Sequence, residues 1–116
     1  MSEFTEMVYQ LAKDPQAIKS DMPPAGYGLM HGALGVAGEA GEIVDCIKKH
    51  VVYNQALNCD NLIEELGDIE FFLEYIRQLT HITRESTLKA NIAKLKTRYA
   101  NLEYSDKQAR DRADKK

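Results

Sequence analysis

Residues 61–82 place the strongest constraint on how this chain can fold. Leu62, Leu66, Ile69, Leu73, Ile76 and Leu79 recur at helical spacing, and Ile63, Phe71, Phe72 and Tyr75 fill most of the remaining circumference. The 3.6-residue period predicts a helix over Asn61 to Ile82, with Asp60 as its N-cap. A helix that is apolar nearly all round is buried on most sides, so the other segments must wrap it. They too read as helices. Phe4, Met7, Val8 and Leu11 follow the i, i+3, i+4, i+7 rule behind Ser2 as N-cap. Leu29 to Val52 carries a stripe of Leu29, Ala33, Val36, Ala40, Ile43, Val44, Ile47 and Val51, and Arg84 to Tyr99 one of Leu88, Ile92, Leu95 and Tyr99. Residues 14–28, with Pro15, Pro23, Pro24, Gly26 and Gly28, read as a connecting loop, and 54–60 as a turn. No segment alternates like a strand. The expectation is an all-α, compact bundle of four main helices.

A chain of 116 residues supports one domain, here 1–116, with a core at about 29–99 and a charged tail at 100–116 that is a solvated stretch or a short terminal helix. The other helices of one short chain cannot cover the whole of segment 61–82. A homodimer or homotetramer is therefore expected, with Phe71 or Tyr75 at the subunit interface. No run approaches the roughly 20 apolar residues of a membrane span. Residues 1–13 carry Glu3 and Glu6 and lack an apolar signal core, so a cytoplasmic location is expected. The net charge of −3 argues against a nucleic-acid partner. Cys46 and Cys59 are too few for a disulfide framework.

The chemistry-bearing residues are acidic. Glu39 and Glu42 stand three apart on the second expected helix, and Glu65 and Asp68 three apart on the third. Each pair therefore shares a helical face. Antiparallel packing across the 54–60 turn would bring all four carboxylates together at the edge of the core. Clustered carboxylates repel and resist desolvation unless a cation sits among them. Hard divalent ions such as Mg²⁺ take oxygen ligands and often bridge them to phosphates. Either pair alone is more often a solvated helical face than a metal site; the matching phase of the two is what favours a metal. The di-iron carboxylate bundles require Glu-x-x-His, and no Glu here has His three residues on.

Other features point the same way with less force. Gly32, Gly35, Gly38 and Gly41 recur every third residue, each costing roughly 1 kcal/mol relative to Ala in a helix. Close helix contact or room for a ligand would compensate, and the sequence leaves both open. Asn91, Lys94 and Arg98 flank one side of the last apolar stripe, where they would offer donors and positive charge to phosphates; Lys48 and Lys49 could serve likewise. His50 follows Cys46 by four, but no second Cys/His pair completes a zinc site.

The run Gly38-Glu39-Ala40-Gly41-Glu42-Ile43-Val44-Asp45-Cys46-Ile47-Lys48-Lys49, followed by Glu64-Glu65-Leu66-Gly67-Asp68, resembles the MazG-like all-α nucleoside triphosphate pyrophosphohydrolases. That superfamily includes the dimeric dUTPases and the helical dCTPases, and its E-x-x-E…E-x-x-D signature appears here with 22 residues between Glu42 and Glu65. Asn91 to Tyr99 is similar to the family's downstream N-x-x-K-L-x-x-R-Y element. The resemblance implies that Glu39, Glu42, Glu65 and Asp68 bind Mg²⁺, or Mn²⁺ in its place. It implies further that Asn91, Lys94 and Arg98 hold the nucleotide, and that Phe71 and Phe72 line a base pocket. Lys49 joins the substrate-binding set, and Glu42 is the candidate to orient or deprotonate the attacking water. The implied reaction converts a nucleoside triphosphate to the monophosphate and pyrophosphate, as nucleotide-pool housekeeping. Where relatives often continue with Pro and Gly-Phe-Ser, Ala100 to Ser105 reads Ala-Asn-Leu-Glu-Tyr-Ser. The residues alone also admit a non-catalytic helical interaction module with an acidic, cation-binding face.

Overall fold

A computed structural model describes residues 1–101 and 104–112; the parts of the expected tail at 102–103 and 113–116 lie outside the described residues. Six helices follow one another among the described residues: α1 (Glu3–Leu11), α2 (Pro15–Ser20), α3 (Gly26–Val51), α4 (Cys59–Thr80), α5 (Arg84–Arg98) and α6 (Asp106–Asp111). No strand occurs among the described residues, so the all-α reading holds.

Caps fix most of the boundaries. The Ser2 hydroxyl accepts from the Thr5 amide at 3.1 Å, as its position predicts. Residues 14–28 are more ordered than a loop. Asp14 accepts from the Gln16 amide at 3.1 Å and Pro15 occupies the first turn, an N-cap and N1 pair that starts α2. Beyond Pro23 and Pro24, α3 begins at Gly26, three residues ahead of expectation. The cap of α4 is Asn58, whose side chain accepts from the Asn61 amide at 3.0 Å; Asp60 lies inside the first turn instead, where its charge suits the helix dipole. Thr83 and Ser105 cap α5 and α6 in the same way, accepting from the Ser86 and Gln108 amides.

α3 and α4 form the one extensive helix–helix interface among the described residues. Residues 52–58 join them, a length usual for neighbouring helices. The link is tied down by Asn54 in the left-handed region (φ 56°) and by a hydrogen bond of 2.8 Å between His50 Nδ1 and the Gln55 carbonyl. Cys46, the one buried apolar side chain among the described residues, points its Sγ at the Asn58 carbonyl, 3.8 Å away. The pairing runs antiparallel. Gly28 meets Leu79 and Tyr75, Gly32 meets Ile76 and Tyr75, and Gly35 lies against the Phe72 ring.

This seam differs in phase from the expected stripes. α4 presents Phe72, Tyr75, Ile76 and Leu79 to the glycine face of α3, because only there can large side chains approach the backbone closely. Much of the anticipated apolar stripe of α3 therefore faces outward: Ala33 and Ala40 are exposed, and Val44 and Val51 are each 65% exposed. On α4, Leu66 is 49% and Phe71 65% exposed. Tyr75, expected at a subunit interface, instead belongs to the intramolecular seam, with its hydroxyl near Gly28 and its ring edge-on to His31. A chain of this length packs to a radius of gyration of about 13 Å when compact, whereas this one measures 19.8 Å. The described helices thus do not gather into a closed bundle around the hairpin. α1, α2 and α5 make no extensive interface with the hairpin.

Candidate functional site

Midway along α3, the glycine seam gives way to Glu39, four residues beyond Gly35 on the same face. Glu65 and Asp68 come from successive turns of α4, N-terminal to Phe72. One carboxylate oxygen from each of Glu39, Glu65 and Asp68 lies within 4.8 Å of the other two. Glu39 and Glu65 are half-buried. Glu39 Oε2 is fully shielded from solvent yet has no hydrogen-bond partner. A buried unsatisfied carboxylate oxygen is costly, and a cation among the three would satisfy it.

The crowding also registers in the proton equilibrium. A hydrogen bond with Glu39, then burial, then the charges of Glu39 and Asp68 hold the Glu65 carboxyl above its ordinary value. Like charges at one place without a counter-ion favour the protonated form of a carboxyl. Three hard oxygen donors around one point match what Mg²⁺ or Mn²⁺ takes from protein, leaving further positions for water or phosphate. The residues present therefore fit such an ion. Gly38 and Gly41 on α3 and Gly67 on α4 flank the cluster, and a Cβ built at any of them would meet nothing within 4 Å. The face beside the carboxylates is open, in contrast to the close-packed Gly28, Gly32 and Gly35.

The other expected site residues distribute unevenly. Glu42 is exposed one turn beyond Glu39 and stands outside the group of three. Lys49 is exposed and pairs with Asp45 at 3.0 Å, which raises its pKa. Phe72 lies in the seam, edge-on to Phe71 with ring centroids 5.2 Å apart and to His31 at 5.6 Å. Asn91 and Lys94 line a shallow groove on α5 with Thr87 and Leu88, and Arg98, half-buried near the end of α5, is engaged in an interaction of its own. Because α5 has no extensive interface with α3 or α4, the structure does not pack this cationic set against the carboxylates. His31 is the residue that pattern reading passed over. Its signal was position: it precedes Gly32 by one and Gly35 by four, at the edge of the glycine face.

Fold and site together define an all-α protein with a carboxylate cluster set across a helical hairpin and suited to a hard divalent cation. Residues 32–102 match the family model of the MazG nucleotide pyrophosphohydrolase domain. The chain belongs to that family. Among curated proteins it is similar to the Gene 37 protein of Mycobacterium phage L5, with 30% identity over 100 residues that cover 78% of this chain and 85% of the phage protein. No solved structure matches it significantly. No helix among the described residues is long and apolar enough to cross a membrane.

Proposed function

We propose that this protein is a Mg²⁺-dependent nucleoside triphosphate pyrophosphohydrolase. It converts an NTP or dNTP to the monophosphate and pyrophosphate, works in the cytoplasm on the nucleotide pool, and acts as a homo-oligomer. The observation that supports it most is the meeting of Glu39, Glu65 and Asp68 around the orphaned Glu39 Oε2, in a chain of the pyrophosphohydrolase family. Bound there, the ion would neutralise polyphosphate charge and acidify a water. Glu39, Glu65 and Asp68 would hold it. Glu42, exposed on the adjoining turn, is proposed to orient the attacking water and take its proton. Asn91, Lys94, Arg98 and Lys49 are proposed to donate to phosphate oxygens, which requires α5 to be brought to a hairpin through association with a second copy. Phe72 is proposed to bound the base subsite from the seam. Incubation with a panel of ribo- and deoxynucleoside triphosphates and Mg²⁺ tests the reading. Release of pyrophosphate with the matching monophosphate is expected; orthophosphate release would point to a different phosphohydrolase reaction and overturn the pyrophosphohydrolase reading, and no turnover with any nucleotide would favour the non-catalytic acidic module.

A further inference from the structure

The N-terminal helix poses a problem that one copy does not solve. α1 has nine residues, below the roughly 12–15 at which an isolated helix holds together in water. It is well capped by Ser2, yet it makes no extensive interface with the rest of the chain. Its apolar face is laid bare: Phe4 is 75% and Leu11 77% exposed, and Met7 and Val8 are each 49% exposed. A short amphipathic helix in that condition is stable only when seated on an apolar surface.

The surface area indicates what supplies the seat. A compact monomer of 13.1 kDa exposes roughly 6,400 Å², whereas this chain exposes 9452 Å². The excess, about 3,000 Å² per chain or about 6,000 Å² for a pair, is more than enough to supply an obligate homodimer interface, which buries about 2,000–5,000 Å² or more over both partners. A matching receptor exists on the outer face of α3. Val44 and Val51 are each 65% exposed and Ile47 38% exposed, and Lys48 stands among them one turn from Val44 and from Val51. On α1, Glu3 flanks the apolar face, so an acidic edge meets a basic row when the two apolar faces join.

We infer that α1 is an exchanged arm whose Phe4/Val8/Leu11 face docks on the Val44/Ile47/Val51 row of α3 in a second copy of this chain. This goes beyond the proposed oligomeric state, on which it rests, by assigning the element that locks the two copies together. In a two-fold dimer the contact forms twice, once for each arm.

The test uses the full chain, with analytical ultracentrifugation to read the dimer dissociation constant and circular dichroism to read helix content. Phe4→Glu and Val44→Glu are each expected to raise the dissociation constant at least a hundredfold with helix content nearly retained. Tyr9→Glu, a matched charge on the other side of α1, leaves it within threefold. An equimolar mixture of the Phe4→Glu and Val44→Glu chains is expected to dimerise more tightly than either variant alone, because the intact arm of one meets the intact row of the other. A dimer indifferent to Phe4→Glu would overturn the arm while leaving the oligomeric reading standing. A wild-type monomer at micromolar concentration would overturn both. Loss of thermal stability in the variants with no gain on mixing would show that α1 docks on its own hairpin, and would also overturn the inference.

Discussion

Replacing Gly32 and Gly38 by alanine, one at a time, separates the two roles that the glycines of α3 play. At Gly32 the new Cβ would stand 2.6 Å from Cγ1 and 3.3 Å from Cδ1 of Ile76, and 3.5 Å from the Tyr75 ring. The nearest atom belongs to a β-branched side chain whose χ1 freedom is small, so relief requires the seam to open. Overpacking of this kind costs about 1–3 kcal/mol, against which alanine recovers up to about 1 kcal/mol of helix propensity. A net loss of about 1–2 kcal/mol follows for Gly32→Ala. At Gly38 nothing lies within 4 Å of the new methyl, so Gly38→Ala gains about 0.5–1 kcal/mol. Urea denaturation followed by circular dichroism, at one fixed protein concentration because association contributes to stability, should show the two midpoints moving in opposite directions. Stabilisation of both variants alike would refute the close seam between α3 and α4.

Glu65→Gln and Asp68→Asn should each abolish pyrophosphate release while helix content by circular dichroism stays unchanged; full turnover in either would remove these carboxylates from the reaction. The raised Glu65 pKa has a signed consequence for the metal-free protein. The folded state keeps a proton that the unfolded chain releases, so this contribution to stability is complete below the ordinary carboxylate range and is lost as pH rises through the raised value. Melting temperatures measured against pH in chelator should therefore fall more steeply across that window for the wild type than for Glu65→Gln, and parallel curves would argue against the raised Glu65 pKa. Phe71→Glu, at a 65% exposed position on the outer face of α4, should weaken self-association by tenfold or more in light scattering over a dilution series, and an unchanged mass at every dilution would place Phe71 outside the interface.

The helices and the carboxylate spacing were legible because they depend on local periodicity. Ser2 caps α1 as its position predicts, and Glu39, Glu65 and Asp68 meet as their spacing predicts. Phase was harder to read. Hydrophobic periodicity counts side chains, and a glycine seam has none to count, so the stripe of Val44 and Val51 looked like the core face while Gly28, Gly32 and Gly35 took α4. The spacing 28, 32, 35, 39 alternates four and three residues like a heptad seam, and reading it that way leads directly from the glycines to Glu39. Asp14-Pro15 reads as loop because proline disrupts helix interiors, although at N1 it initiates them. Asn58 and Asp60 are both acceptable caps; the link geometry selects between them. Pattern brings all four carboxylates together, whereas three meet among the described residues. Glu42 shares the phase of its neighbours, but it is exposed one turn along from Glu39 and outside the group that meets across the hairpin.

Manganese titration of the metal-free protein by electron paramagnetic resonance tests the carboxylate cluster most directly, because it reads the ion itself and needs no knowledge of the nucleotide. Bound Mn²⁺ should appear in the wild type and be displaced by Mg²⁺. Its affinity should drop at least tenfold in both Glu39→Gln and Asp68→Asn, whose carboxylates come from opposite helices and lie within 4.8 Å of each other. Equal Mn²⁺ affinity in the wild type and both variants, with all three folded, would show that the cluster does not hold the cation and would contradict the proposed metal-dependent chemistry at this site.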